Sequence, residues 1–171
     1  MGMDVNGLKP TTKEGEYFSN NVWRWRPLAA YITEFAPVES APCTHWQYND
    51  GDGLNAEQSI ALADKLQHLV DSGHTKKYEE QYDAEIAAMA DEKCDLCDGT
   101  GIRSDLIGVQ GGMTERVINE VGHPRNGETG WCNKCNGTGW VRPFATAYPF
   151  TVDNVREFIT FLRGCGGFEI N

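Results

Sequence analysis

The octet CDLCDGTG at residues 94–101 is repeated almost unchanged as CNKCNGTG at residues 132–139. The shared form, CxxCxGxG, arranges four of the chain's six cysteines in two pairs. A two-residue spacing lets both thiolates of a pair reach one metal ion, and two such pairs complete the tetrahedral four-sulfur shell of structural zinc. The repeat therefore predicts one structural Zn²⁺ with four ligands: Cys94, Cys97, Cys132 and Cys135.

Each octet also carries two glycines, two and four places after its second cysteine: Gly99, Gly101, Gly137 and Gly139. Glycine tolerates positive φ and close backbone approach, so the chain can reverse beneath the metal and leave as a hairpin. Four cysteines close the coordination shell, whereas catalytic zinc usually has three protein ligands and an open position. The octets thus predict a structural metal centre, with no catalytic residue assigned to it.

Residues 94–142 resemble the cysteine-rich repeats of DnaJ-type chaperones and of the anti-TRAP family. DnaJ-type proteins carry four such repeats and two zinc ions, so the resemblance implies one ion for the two repeats here. It also implies a zinc-pinned pair of β-hairpins that presents a surface to other proteins. Residues 122–125, GHPR, have His-Pro without the Asp that follows it in the J-domain signature. Co-chaperone activity is therefore not implied.

Residues 98–131, between the two cysteine pairs, form a long glycine-rich connection. Long connections in compact domains are usually functional or mobile. A short helix is predicted at residues 113–120, with Val117 and Ile118 turned inward. Residues 122–131 are either an exposed recognition element or an ordinary turn-rich connector. If they form a recognition element, the candidate partner-binding residues are His123, Arg125 and Trp131.

The rest of the chain has the apolar periodicity of helices. Helices are predicted at residues 27–35, 56–72 and 76–89, and after Asp153, which is expected to cap a helix that stops at Gly164. Asn55 and Gln58 form a capping box for the second of these. Alternating apolar residues near both termini predict that the two ends pair in a small sheet.

The expected fold class is therefore α+β and mainly helical. A helical domain with a short terminal sheet comprises residues 1–93 and 143–171, and the zinc-bound pair of β-hairpins is inserted at residues 94–142. No stretch approaches 18 consecutive apolar residues, and the first ten residues lack the features of a signal peptide. Thiol pairs in such a chain suggest a reducing compartment, so we expect a cytoplasmic protein without membrane contact.

The chain has 171 residues, of which 25 are acidic and 15 basic, for a formal net charge of −10. Filling the site with Zn²⁺ and four thiolates would change this charge to about −12. This charge disfavours binding to duplex DNA, where cationic side chains face the phosphates. The expected partner is another protein with a basic surface, and the expected function is that of a non-catalytic, zinc-stabilised protein-binding module.

The chain as a whole resembles a group of small uncharacterised phage and bacterial proteins, and the resemblance spans most of its length. The resemblance is carried by MGMDV, GEYF, NNVW and RPL within residues 1–28, and by YPF, NVREF and GGFEI within residues 148–170. It implies a phage or mobile-element origin and, as the partner, a host factor or defence component.

Two alternative functions remain open. The segment at residues 23–26, WRWR, together with residues 122–131, could bind RNA or single-stranded nucleic acid, although a helix face that continues from it favours a place in the core. The chain could also be an enzyme with an unrecognised site, for which the first candidates are His45, Asp50 and Asp52. The motif NDGDG at residues 49–53 is interpreted as a turn, because the ligand positions of a calcium loop are not filled. Cys43 and Cys165 remain as spare thiols.

Overall fold

The computed structural model describes residues 2–171, and the chain divides into two compact units. One unit comprises the residues up to Ala87 together with Ala147–Asn171, and the other comprises Ala88–Thr146. The strands are β1 (Gly2–Gly7), β2 (Tyr17–Asn21), β3 (Gly53–Asn55), β4 (Glu92–Lys93), β5 (Trp140–Val141) and β6 (Gly167–Ile170). The helices are α1 (Val22–Phe35), α2 (Pro37–Ser40), α3 (Ala56–Asp71), α4 (His74–Ala88), α5 (Leu106–Gln110) and α6 (Val152–Gly164). The α+β class predicted from the sequence is confirmed.

The first unit contains a four-stranded antiparallel sheet in the order β2-β1-β6-β3. Its central pair joins the two ends of the chain, with Val5 opposite Ile170. The predicted pairing of the termini is therefore confirmed. A segment after β1 is hydrogen-bonded to the end of α6, where the amide nitrogen of Lys9 lies 3.1 Å from the carbonyl oxygen of Cys165.

Side-chain caps set the starts of the main helices. The capping box of α3 is present in full, with Asn55 and Gln58 each accepting a hydrogen bond from the other's amide. α1 begins at Val22 and not at Pro27, because Asn21 caps it by accepting from the amide of Arg24. The prediction that Asp153 caps α6 is wrong. The side chain of Thr151 accepts a hydrogen bond from the Asn154 amide, and Asp153 lies inside the first turn. Among residues 2–171, no helix is both long and apolar enough to cross a bilayer.

The core of the first unit is aromatic. Trp25 is completely buried, and its indole N–H donates to the carbonyl oxygen of Trp46 at 2.6 Å. Its ring packs edge-on against Phe158, with 5.9 Å between ring centroids. The sequence interpretation that placed the WRWR segment in the core is thus confirmed for Trp25. Trp23 lies nearer the surface, where its ring packs on that of Tyr148.

The second unit has short elements tied together around the two octets. β4 pairs with β5, and beside this pair the amide of Cys94 donates to the carbonyl oxygen of Gly139. The helix predicted at residues 113–120 is wrong. The helical segment here is α5, which begins earlier because the Asp105 side chain accepts from the Gly108 amide. Val117, a β-branched residue, instead forms a β-bridge with Thr129.

Candidate metal centre

The two octets bring their four cysteines into one buried cluster. One sulfur atom from each cysteine lies within 4.8 Å of every other. The Sγ atoms of Cys94 and Cys132 are 4.0 Å apart, and those of Cys97 and Cys135 are 3.7 Å apart. These distances are far longer than a disulfide bond, and all six cysteines of the chain are free thiols.

The spacing fits a four-sulfur metal site. Zinc–sulfur bonds of about 2.3 Å in a tetrahedron place neighbouring sulfur atoms about 3.8 Å apart. The two measured pairs lie on either side of that value. The cysteines are at most 6% exposed, and Leu96 and Val141 pack against them. The cluster can therefore hold a metal ion through four thiolates, with little access for a fifth ligand from solvent.

The two octets have the same local structure, bond for bond. Each first cysteine carbonyl accepts from the amide of the glycine five places later, at 3.1 Å in the first octet and 3.0 Å in the second. Thr100 and Thr138 occupy equivalent positions, and each hydroxyl donates to the carbonyl of its second cysteine at 2.7 Å. These threonines were not among the predicted site residues, although their recurrence in both octets was a signal for them.

The last glycine of each octet supports a sulfur atom directly. The amide of Gly101 donates to the Sγ of Cys97 at 3.3 Å, and the amide of Gly139 donates to the Sγ of Cys135 at 3.2 Å. Both glycines have positive φ, 74° and 86°, a region that residues with a Cβ adopt reluctantly. Amide donors stabilise the thiolate form, which is the form that binds metal.

The protonation state of the four thiols depends on whether a cation is bound. Burial raises the pKa of the Cys132 thiol to about 12, because the low-polarity surroundings disfavour an isolated thiolate. A divalent metal reverses that preference, since a coordinating thiol is deprotonated. The hydrogen-bonded ion pair with Asp95 raises the pKa of Lys134, and the charges of Cys94 and Cys132 add a smaller contribution.

The three candidate partner-binding residues make internal contacts around the second octet. The Nε2 atom of His123 lies 2.7 Å from the carbonyl oxygen of Asn136, and the indole N–H of Trp131 donates to the side-chain oxygen of Asn136. Arg125 donates to the carbonyl oxygen of Gly137 at 3.1 Å. These polar atoms therefore position the octet. Their role in binding a partner stays a prediction.

Two features of this neighbourhood were missed by the sequence analysis. Asn136 has positive φ, 52°, and its side chain and carbonyl receive the contacts from Trp131 and His123. The guanidinium of Arg116 stacks over the Trp131 ring, 3.9 Å from its centroid. Arg116 belongs to no recognisable motif, so nothing in the sequence predicted that it would stack on Trp131.

The residues considered for an unrecognised enzyme site also lie together, in the loop before β3. The Nδ1 atom of His45 is 2.6 Å from the carboxylate of Asp50. Asp52 accepts hydrogen bonds from the amides of Thr44, His45 and Gly53. Partial burial raises the pKa of Asp52, but these hydrogen bonds outweigh it and hold the pKa below its usual value. The Asp52 carboxylate is thus engaged in holding the loop.

The two cysteines outside the octets are buried in the first unit. Burial, with a smaller contribution from the charge of Asp52, raises the pKa of Cys43 to about 12. Burial also raises the pKa of Cys165. A thiol of this kind is a poor nucleophile at neutral pH, so neither cysteine resembles a reactive site.

Comparison with known proteins adds no relative to this description. No protein-family model, no curated protein and no solved structure matches the chain.

Proposed function

We propose that this chain is a non-catalytic protein-binding module stabilised by one structural Zn²⁺. The observation that carries the proposal is the set of four buried sulfur atoms, all within 4.8 Å of one another. Cys94, Cys97, Cys132 and Cys135 would hold the ion. When bound, the ion supplies charge compensation and a cross-link between the two octets, and a filled four-sulfur shell leaves no position for a substrate.

The resemblance of the octets to DnaJ-type and anti-TRAP repeats supports zinc as the metal and protein binding as the activity. The free state of all six cysteines supports a reducing compartment such as the cytoplasm. The resemblance of both chain ends to phage proteins supports a host factor or defence component as the partner.

The distribution of exposed side chains supports a binding role for the second unit. Seven large apolar residues of that unit are exposed to solvent: Leu106, Ile107, Val109, Val117, Val121, Trp140 and Phe144. Three of the seven, Leu106, Ile107 and Val109, are neighbours on the five-residue helix α5. Clustered apolar surface is typical of sites that contact other proteins.

The same unit provides little support for nucleic-acid binding. Each of its six cationic side chains has a partner: five form ion pairs with carboxylates, and Arg116 stacks on Trp131. In the first unit, Trp25 of the WRWR segment is buried and cannot stack on a base. We therefore rank the protein-binding function above the RNA alternative.

The presence and identity of the metal are tested by elemental analysis of protein purified without added metal. We expect one zinc per chain, and we expect Co²⁺ substitution to give the absorption of a tetrahedral four-thiolate complex. Protein that folds without any metal, or that contains iron and no zinc, would contradict the zinc assignment.

The binding function is tested by affinity purification from a host lysate at several salt concentrations. A comparison variant carries Leu106→Ser, Ile107→Ser and Val109→Ser together. These substitutions remove the apolar surface of α5 and leave the octets intact. We expect a specific protein to be retained by the natural chain and lost by this variant. Retention of nucleic acid and not protein would favour the RNA alternative, and recovery of no partner would count against the proposal.

A further inference from the structure

The four-stranded sheet of the first unit has an open edge at β2. β2 is the first strand in the order β2-β1-β6-β3, so over residues 2–171 it has a strand neighbour on one side, namely β1. The amide of Gly7 donates to the carbonyl of Glu16, which sets the alternation of hydrogen bonds between the two strands. By that alternation the backbone groups of Phe18 and Asn20 face β1, and those of Tyr17 and Ser19 face outward.

This edge lacks the devices that usually protect an edge strand from further pairing. Natural edges are commonly shortened, or carry proline or an outward lysine. The other edge of the sheet, β3, has three residues. β2 has five residues with the sequence YFSNN, and therefore neither proline nor lysine. An incoming strand can thus form hydrogen bonds with the outward-facing backbone groups of Tyr17 and Ser19.

A groove of about 340 Å³ runs beside this edge, between β2 and the exposed side of α6. Its rim carries two carboxylates, Glu14 and Glu157, together with the Tyr17 ring. Phe18 and Phe161, which pack on each other at 5.8 Å between ring centroids, supply an apolar floor. The edge of β2 and the groove beside it therefore combine backbone hydrogen-bonding groups, apolar contact and negative charge.

We infer that β2 and this groove bind an extended basic segment of a partner protein, which adds as a further antiparallel or parallel strand. Main-chain hydrogen bonds to an edge strand provide affinity in this mode of recognition, and alternate side chains provide specificity. Here the lysine or arginine side chains of the segment would face Glu14 and Glu157. Glu157 is already 3.5 Å from Arg24 in an exposed ion pair, so Glu14 is the freer of the two.

The charge of the first unit favours such a ligand. Residues 1–87 and 147–171 contain 17 acidic and nine basic side chains, whereas residues 88–146 contain eight and six. Most of the chain's net negative charge thus lies in the unit that contains the groove. The groove is formed by residues of the first unit, whereas the cysteine cluster and the apolar residues of α5 belong to the second unit, so binding here goes beyond the function proposed above.

The test uses the full chain as purified and two labelled peptides of equal length, (Lys-Val)₄ and (Glu-Val)₄, in fluorescence anisotropy. Both peptides favour an extended conformation, and they differ in charge. We expect the basic peptide to bind, with an affinity that falls as salt is raised, and the acidic peptide to bind at least tenfold more weakly. Equal binding of the two, or no binding of the basic peptide, would overturn the inference.

Two variants locate the site. The double variant Glu14→Gln, Glu157→Gln should weaken binding of the basic peptide at least about threefold, as expected for the loss of two exposed charge pairs. The matched control, Glu80→Gln with Glu85→Gln, makes the same change in net charge on α4 and should have a smaller effect. Ser19→Pro removes an outward amide from the edge and should weaken binding about fivefold. If the control pair weakens binding as much as the groove pair, the peptide does not bind in this groove.

These outcomes are independent of the zinc proposal. The serine variant of α5 should bind the basic peptide normally, because its substitutions lie in the other unit. Loss of peptide binding would leave the metal analysis and the lysate experiment unaffected.

Discussion

Gly101 lies against the backbone carbonyl of Gly137, so closely that a Cβ atom on Gly101 would be 2.2 Å from that oxygen. The relationship is reciprocal, since a Cβ on Gly139 would lie 2.3 Å from the carbonyl oxygen of Gly99. The last glycine of each octet thus packs against the first glycine of the other. This glycine contact joins the two octets without any contribution from a metal ion.

The glycine contact predicts a large effect for Gly101→Ala. The substitution places a methyl group against a backbone oxygen and also forces a non-glycine residue to positive φ, which alone costs about 1–2 kcal/mol. We expect metal affinity to fall at least tenfold, measured by competition with a chelator. Gly127→Ala is the matched control, because Gly127 has φ of 85° and no atom within 4 Å of its Cβ position. Similar losses for both variants would show that the close contact is unimportant.

Removal of one sulfur ligand should abolish the metal centre. We expect Cys97→Ser to lose the metal and the cooperative unfolding of residues 88–146, because structural zinc contributes about 10–16 kcal/mol of apparent binding energy in small domains. Metal content and circular dichroism provide the measurement. Cys43→Ala is the control: it deletes a buried thiol outside the cluster, so it should lower stability and retain one metal per chain. Full metal content in Cys97→Ser would exclude Cys97 as a ligand.

Arg125→Ala should weaken the metal centre although Arg125 is not a ligand. Its guanidinium donates to the carbonyls of Gly137 and Thr129 and forms an ion pair with Glu128. Loss of these hydrogen bonds leaves two carbonyl groups without their donor, and we expect a loss of about 1–3 kcal/mol in unfolding free energy. Arg125→Lys should recover part of that loss, because lysine keeps the charge without the planar fork. Unchanged stability in both variants would leave partner binding as the remaining role for Arg125.

The loop before β3 should depend on pH through Asp52. Its folded-state pKa is lowered, so its contribution to stability is present above the unfolded value of about 4 and is lost as the pH falls through the folded value. We expect Asp52→Asn to cost about 1–2 kcal/mol at pH 7, and the difference from the natural chain to narrow below pH 4. Urea unfolding followed by tryptophan fluorescence measures both. Asp50→Asn, which removes the partner of His45, is the control and should cost less at pH 7. A constant difference between pH 7 and pH 3 would contradict this account.

Local patterns predicted the elements with strong periodicity. α3 was expected because Asn55 and Gln58 form a capping box ahead of a regular apolar face, and this interaction is contained within four residues. The starts of α1 and α6 were placed wrongly for a related reason. Asn21 and Thr151 can also cap a helix. Which of the neighbouring residues becomes the cap depends on where the packing of the sheet and the core allows the helix to begin.

The connection between the octets was predicted less well. The apolar pair Val117 and Ile118 suggested a helix, yet Val117 pairs with Thr129 across the connection. Ile118 is buried, and its side chain would be 2.8 Å from a Cβ on Gly137. Contacts of this kind join residues that are far apart in the sequence, so the local periodicity of apolar residues does not predict them.

The sequence by itself predicted that the four cysteines of the octets come together, because the spacing CxxC and the repeated glycines encode a short, self-contained turn. It also determined the α+β class and the pairing of the termini, through periodicity that is visible over a few residues. The tertiary structure alone decided that His123, Arg125 and Trp131 contact the second octet, and that β2 is an open edge beside an acidic groove. Both depend on which distant segments become neighbours, and that choice is made by the packing of the whole unit.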